Sequence, residues 1–237
     1  MGTVMKNGKS VFIGTPAYEG KVHVQYALAL MDTSELLKSI GYEVIIRMPV
    51  GGSLLVADRN RLTELFWQSG ADYMLCVDSD LAWDPQAVLR FLQTDKDFCA
   101  GVYPSRMGKS FTFRPFVHED GRIMMCEKTN LLKMQYVPAG FMLFKRTVIE
   151  KMRDTYPELK YEPKDPRSDD FGAYCFFNTE VYEGEFWGED YVFCRRVRTA
   201  GFDIWVDPTI QFNHAGNCGA LIESLTDDPE KAEKPPA

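Results

Sequence analysis

What this chain lacks closes off several classes of function. No apolar run approaches the ~20 residues of a spanning helix, so no transmembrane segment is expected. Met1 to Ser10 is polar and has no apolar core of the kind that marks a signal peptide. Basic residues are outnumbered, 27 Lys and Arg against 34 Asp and Glu, and a net charge of -7 argues against a broad nucleic-acid-binding face. No CxxC pair occurs among the six cysteines (Cys76, Cys99, Cys126, Cys175, Cys194 and Cys218). They read as reduced thiols in a cytoplasmic setting, not as a disulfide framework or a zinc site. Neither a GxGxxG nor a Walker loop is present, which sets the chain apart from dehydrogenases and P-loop NTPases.

What is there alternates between strand and helix, in a chain of 237 residues whose 45% hydrophobic content suffices for one core. Val11-Phe12-Ile13 runs into Gly14-Thr15-Pro16. Val24, Leu28 and Met31, continued by Leu37 and Ile40, predict the inner face of a helix ending near Gly41. Val44-Ile45-Ile46 is a second strand, and Leu62, Leu65 and Phe66 mark a second helix that stops at Gly70. The chain then reaches Tyr73-Met74-Leu75-Cys76-Val77, an apolar run that reads as a strand buried on both faces. It passes directly into Asp78-Ser79-Asp80. If the extended geometry persists past Val77, residues i and i+2 share a side, and two carboxylates converge on one cation. Hard oxygen ligands suit Mg²⁺ or Mn²⁺, whereas the ordinary reading is that these acids simply open a turn. Asp84 and Pro85 then form a helix start.

Downstream, Phe98 to Tyr103 reads as another buried strand, and Arg106 and Lys109 read as solvated loop cations, with a diphosphate as the alternative partner. Short antiparallel pieces follow from Phe111 to Val137. Gly140 interrupts the strand Tyr136 to Phe144, as a glycine does where ligand or backbone approaches closely. Tyr156 to Asp170 is charged and proline-bearing, a surface loop. Trp187-Gly188-Glu189-Asp190 opens a helix whose late turns carry Arg195, Arg196 and Arg198, an order that also suits the helix dipole. Phe202 to Val206 is a last core strand, followed by His214. Residues 1–225 read as one domain and 226–237 as a disordered tail.

The segment ADYMLCVDSDLAWDP resembles the DxD region of the GT-A nucleotide-sugar glycosyltransferases, especially family 2. FWGEDYVFCRRVRTAGFDIWVDPTIQFNH resembles the acidic-motif helix, following strand and metal-binding histidine of the same group. The resemblance implies a single Rossmann-like α/β domain, a mostly parallel sheet flanked by helices with a small antiparallel acceptor-side section. It implies a metal-dependent glycosyltransferase, inverting in the sense that Asp190 is the general base and Glu189 orients acceptor or base. Asp78, Asp80 and His214 would hold Mn²⁺ or Mg²⁺. Thr15, Pro16, Ala17, Arg59, Asp78, Ser79, Asp80, Ala139 and Gly140 would meet a UDP- or GDP-linked sugar donor, and Trp187 and Gly188 a glycan or glycoconjugate acceptor. Ala57-Asp58-Arg59-Asn60 is similar to the family's ARN element with Asp58 inserted. A surface pairing of Arg59 with Asp58 or Glu64 is the ordinary alternative.

Other readings keep the fold and change the chemistry. A retaining transferase shares the DxD and the histidine, and a non-catalytic glycan- or nucleotide-binding module shares the architecture. A sugar-nucleotide pyrophosphorylase lacks support because Gly14 to Lys21 has no glycine-rich basic loop. A phosphatase using a DxD lacks the Thr or Val expected after the second Asp.

Overall fold

The computed structural model describes residues 8–52, 54–106, 110–162 and 172–226. Strand β1 (Ser10–Gly14) leads through α1 (Val24–Ser39) to β2 (Glu43–Arg47), and α2 (Leu55–Ser69) returns the chain to β3 (Tyr73–Val77). The short β4 (Leu81–Trp83) and α3 (Pro85–Gln93) precede β5 (Phe98–Ala100), β6 (Arg114–Pro115), β7 (Leu132–Tyr136), β8 (Phe141–Lys145) and α4 (Arg146–Thr155). Two small pairs follow, β9 (Lys160–Tyr161) with β10 (Ala173–Tyr174) and β11 (Glu180–Tyr182) with β12 (Glu185–Trp187). The described chain ends with α5 (Glu189–Thr199), β13 (Ile204–Val206), β14 (Phe212–His214), β15 (Asn217–Gly219) and α6 (Leu221–Thr226).

Eight strands form the central sheet in the order β2-β1-β3-β8-β5-β13-β7-β6. Strands β1, β2, β3, β5, β6 and β13 point one way, and β7 and β8 run against them. The sheet is therefore mostly parallel by direction, as expected for an α/β domain. Its two faces carry separate cores. Leu62 and Phe66 of α2, Val148 and Ile149 of α4 and Val192 and Phe193 of α5 pack on one face. Tyr26, Leu30 and Leu37 of α1 and Val88 and Phe91 of α3 pack on the other. Every residue of β3 is buried, because it is covered on both faces. The antiparallel section expected between Phe111 and Val137 is present as β6 with β7 and the bridges Val117↔Ile123 and Met125↔Leu132.

Helix α1 corrects one expectation. Val24, Leu28 and Met31 are 70%, 54% and 66% exposed, and the buried face is Tyr26, Ala29, Leu30, Thr33 and Leu37. Two stripes at helical spacing coexist, and hydrogen bonds select between them. Trp83 Nε1 donates to Thr33 Oγ1 at 3.0 Å, and the Tyr26 and Thr15 hydroxyls meet at 2.5 Å. Only the second stripe carries polar groups whose partners lie inside.

Helix α3 begins as its sequence dictates, with Asp84 Oδ1 accepting from Gln86 N and Pro85 in the first turn. Gly70 ends α2 in the left-handed conformation at φ 73°. All six cysteines are unpaired. Among the described residues no helix is long and apolar enough to cross a membrane. Of the expected surface loop, 163–170 lies outside the described residues, as does the tail beyond Thr226; Lys109 does too.

Asn60 is buried in α2. Its amide clamps the backbone of Phe177, with Nδ2 donating to the carbonyl and Oδ1 accepting from the N–H, both at 2.8 Å. Arg196 Nη1 donates to the carbonyls of Cys175 and Phe176 at 2.7 Å each. The segment before β11 is thus pinned from two helices. Asn60→Ala leaves a buried N–H and a buried carbonyl unmet, so a loss of about 2–4 kcal/mol is expected in urea denaturation. A change within about 0.5 kcal/mol, the range of an ordinary surface substitution, would contradict the clamp.

Candidate functional site

Helices α1 and α2 leave the sheet on opposite faces, so a crevice opens beyond the carboxyl ends of β1 and β3. Open α/β sheets bind ligands at such switch points. Here the crevice is a cleft of about 360 Å³ lined by Pro16, Tyr18, Gly52, Leu55, Asp58, Asp78, Ser79, Asp80 and Arg106. Three carboxylates and a guanidinium share its wall with three apolar or aromatic side chains. That mixture suits a ligand with a flat ring at one end and anionic oxygens at the other.

The strand does not persist past Val77. Asp78 N donates to Gly140 O at 3.0 Å, Leu81 N donates to Asp78 O at 3.2 Å, and the chain turns. The same-side argument for residues i and i+2 therefore fails, and the two acids take different partners. Arg59 Nη2 donates to Asp78 Oδ1 at 2.9 Å. Asp80 Oδ2 lies 2.5 Å from Arg106 Nη2 and 3.4 Å from His214 Nε2. Asp80 Oδ1 is buried without a hydrogen-bond partner among the described residues. Ser79 lines the cleft, and its carbonyl accepts from His23 N at 2.9 Å, tying the turn to the start of α1.

His214 arrives by strand pairing. Antiparallel β4 and β14 set Leu81 opposite His214, and Ala215 N donates to Asp80 O at 3.1 Å. Arg106 Nε donates to His214 Nε2 at 3.3 Å, so that nitrogen carries no proton, and Nδ1–H donates to Pro104 O at 2.7 Å. Arg106 is accordingly not a solvated loop cation; it is the counter-ion of this acid–imidazole pair. Among the described residues no three His, Cys, Asp or Glu side chains gather closely enough to hold a metal. Asp80 and His214 do come together, while Asp78 is engaged by Arg59.

Arg59 joins this turn to α5. Its side chain is 8% exposed, far from the surface pairing with Asp58 or Glu64 that its neighbours suggested, and Nε lies 3.8 Å from Glu189 Oε1. Burial works against its charge, but Asp78 and Glu189 outweigh it and hold the guanidinium above its usual range. Glu64 is engaged instead by Arg153 at 2.8 Å. Asp58 lines the cleft, and burial raises its carboxyl above the ordinary value. Gly52 lies so close to that carboxylate that a Cβ there would overlap it.

The start of α5 is the expected pair of acids after Gly188, which caps the helix by backbone alone. Asp190 is pushed up from 3.8 to about 6, first by burial and then by the adjacent Glu189 carboxylate, with the N–H of Tyr191 at 2.8 Å opposing. Gly140 is needed for packing within the protein. A Cβ there would land on the Tyr103 hydroxyl and 2.6 Å from Asp78 Oδ2, and Gly140 N donates to that hydroxyl at 3.0 Å. Ala139 is buried beside Arg59 and Asp78. Pro16 opens on the cleft, but Thr15 is fully buried against Tyr26, and Ala17 is buried with its N–H on Pro49 O. Trp187 is 7% exposed, held edge-on by Tyr136 and Tyr182.

Tyr18, Leu55 and Tyr103 were not among the expected site residues, and Arg106 was expected in solvent, with a diphosphate as the alternative partner. Tyr18 had a readable signal, a large aromatic just past the turn after β1. The others depend on contacts between segments distant in the chain.

No family model matches the chain, and no curated protein matches it. Among solved structures it is similar to S. aureus TarS 1-349, at 13% identity and a TM-score of 0.42, over 84% of this chain and 58% of that one. It is also similar to HddC from Yersinia pseudotuberculosis, at 10% identity and a TM-score of 0.34, over 94% of this chain and 98% of that one. The chain thus spans 58% of the length of the TarS fragment. The description of the fold rests on the strand order above.

The raised carboxyl of Asp190 has a sign that can be tested. A folded-state value of about 6 against an ordinary 3.8 means that ionising Asp190 costs native stability as pH rises from about 4 to about 6, and no more above that. Asp190→Asn removes the ionisation. Its melting temperature relative to wild type is expected to rise across that window and then stay level to pH 8. A difference independent of pH would show that Asp190 is not desolvated.

Proposed function

We propose that this protein is a metal-dependent glycosyltransferase that moves a sugar from a nucleoside-diphosphate sugar to a hydroxyl acceptor, with inversion. The observation that carries the reading is the linkage of two acidic elements through one buried arginine. Asp78 at the end of β3 and Glu189 at the start of α5 bind the same buried Arg59, with Asp190 beside Glu189. The family resemblance of the same two segments points the same way.

In this reading the flat base of the donor lies against Pro16, Tyr18 and Leu55, and its diphosphate lies toward Asp80 and Arg106. Asp190 accepts the proton of the acceptor hydroxyl. A carboxylate whose affinity for protons is raised toward neutrality is a stronger base than an ordinary one and is still ionised at pH 7. Burial and the Glu189 charge raise its affinity for protons, and Arg59 works against them. Tyr103 holds the Gly140 backbone against Asp78, which fixes the floor of the site.

The donor atoms at Asp80 and His214 fit a divalent cation. An orphaned buried carboxylate oxygen, an unprotonated imidazole nitrogen and a guanidinium already drawn to both mark a place where positive charge is favoured. A bound Mn²⁺ or Mg²⁺ would supply charge neutralisation for the departing diphosphate. Asp80 and His214 would hold it, and Asp78, through Arg59, would keep the turn rigid. Arg106 is 64% exposed and must vacate the pair, which leaves its guanidinium free for the diphosphate.

Three experiments test this. A thermal-shift screen of UDP-, GDP- and dTDP-sugars with Mn²⁺ should give about 2.7 kcal/mol of stabilisation at 100 times the dissociation constant of the right donor. Turnover of that donor should rise with pH through about 6 and fall roughly 10²–10⁴-fold in Asp190→Asn, with nucleotide binding retained. Failure of every nucleotide to stabilise the protein would remove the reading. Separately, Arg106→Ala should bind Mn²⁺ about three- to tenfold more tightly in titrations followed by electron paramagnetic resonance, because it deletes the competing cation. Unchanged Mn²⁺ binding in both Arg106→Ala and Asp80→Ala would place the metal elsewhere.

A further inference from the structure

A second cleft, of about 740 Å³, lies between β7, β12 and the later turns of α5 and holds three arginines, Arg114, Arg195 and Arg198. The chain carries a net charge of -7, so a concentration of guanidinium in one concavity is against its overall balance. Helix polarity accounts for cations near the end of α5, but not for Arg114, which comes from β6 on the sheet edge.

These cations are not neutralised evenly. Arg195 is paired with Glu180, although its Nε is buried without a partner. Two acids also line the cleft, Glu183 and Asp203, and Asp203 is taken by Lys133 at 2.8 Å. Among the described residues, neither Arg114 nor Arg198 forms an ion pair. Each rests on an aromatic ring instead. Arg198 lies 5.3 Å and Arg114 6.0 Å from the centre of Tyr136, and Arg195 lies 4.2 Å from Tyr182. Stacking on rings orients a guanidinium and leaves N–H groups, beyond the one that Arg198 Nη1 gives to Gln135 O at 3.5 Å, able to fork an oxyanion.

The rings also connect this cleft to Asp190. Tyr182 meets Trp187 at 5.0 Å, Trp187 meets Tyr136 at 4.9 Å, and Tyr136 stacks on Tyr191 at 4.9 Å. Tyr191 follows Asp190 directly in the chain. The ladder runs from the cleft, which Tyr182, Trp187 and Tyr136 line, to the residue next to the proposed base.

We infer that this cleft binds a sugar chain bearing an oxyanion, phosphate or carboxylate, through Arg114 and Arg198. That this chain is the acceptor rests on the transferase reading above. It makes the acceptor an acidic glycan, in place of a neutral one.

The test uses the full chain and three probes in calorimetric titration: trigalacturonate, its fully methyl-esterified form, and maltotriose 6-phosphate. At least one anionic probe should bind about tenfold or more tightly than the neutral ester, and more weakly at higher ionic strength. The tighter of the two names carboxylate or phosphate. Arg114→Gln with Arg198→Gln should abolish the preference without lowering the melting temperature, and the double Lys variant should restore part of it. Equal affinity for ester and acids, or anion binding that survives the double Gln variant, would overturn the assignment. Donor-dependent stabilisation is measured on the same samples. If no donor stabilises the wild type while anion binding still depends on both arginines, the cleft assignment stands and its acceptor role falls with the transferase reading.

Discussion

Arg59 has given up most of its hydration, and a buried cation of that kind is tolerable only where carboxylates replace the lost water. Two do so, Asp78 at 2.9 Å and Glu189 at 3.8 Å, and they come from segments more than a hundred residues apart. The turn after β3, the middle of α2 and the start of α5 are thereby held to one another. Removing one partner of such a pair typically costs about 3–5 kcal/mol, because the other charge is left buried. The neighbouring Asn60 reinforces the junction by gripping Phe177, whose ring lies 5.9 Å from the same guanidinium. Site and scaffold are the same set of contacts here.

The second acid of the turn has been given a different kind of partner. Asp78 meets an arginine that is 8% exposed, whereas Asp80 meets one that is 64% exposed. Long side chains at the surface lose little when they exchange a carboxylate for water, so the Arg106 pair is displaceable in a way the Arg59 pair is not. The turn between the two acids separates a structural charge from one available for ligand. An extended strand would have put both on one side and removed that distinction.

On the other side of α5, packing is aromatic. Trp187, Tyr136 and Tyr191 fix the start of the helix against β7. This is why Asp190 is buried, and why it stands above the ordinary carboxylate range even with Arg59 near. Burial and the Glu189 charge act together, and both follow from where the helix is seated.

By itself the sequence determined several elements and their ends, though the strand expected from Tyr136 to Phe144 is in fact the end of β7 and most of β8. Local chemistry suffices for a buried run at Tyr73–Val77, an Asp-Pro helix start at α3, a glycine stop at Gly70 and acids at the start of α5, because each is settled by residues a few positions apart. Resemblance marked the two acidic segments as a site. Which side chains face one another was decided only by the tertiary structure. Val24, Leu28 and Met31 have helical spacing as good as that of the buried stripe, and hydrogen bonds from Trp83 and Thr15 chose between the two. Arg59 sits between Asp58 and Glu64 in its own helix, yet its partners are on β3 and α5. The register of β4 against β14 brings His214 to Asp80 across more than a hundred residues. Ion pairs and strand registers of that range depend on where the sheet places its strands, and no window of sequence contains that information.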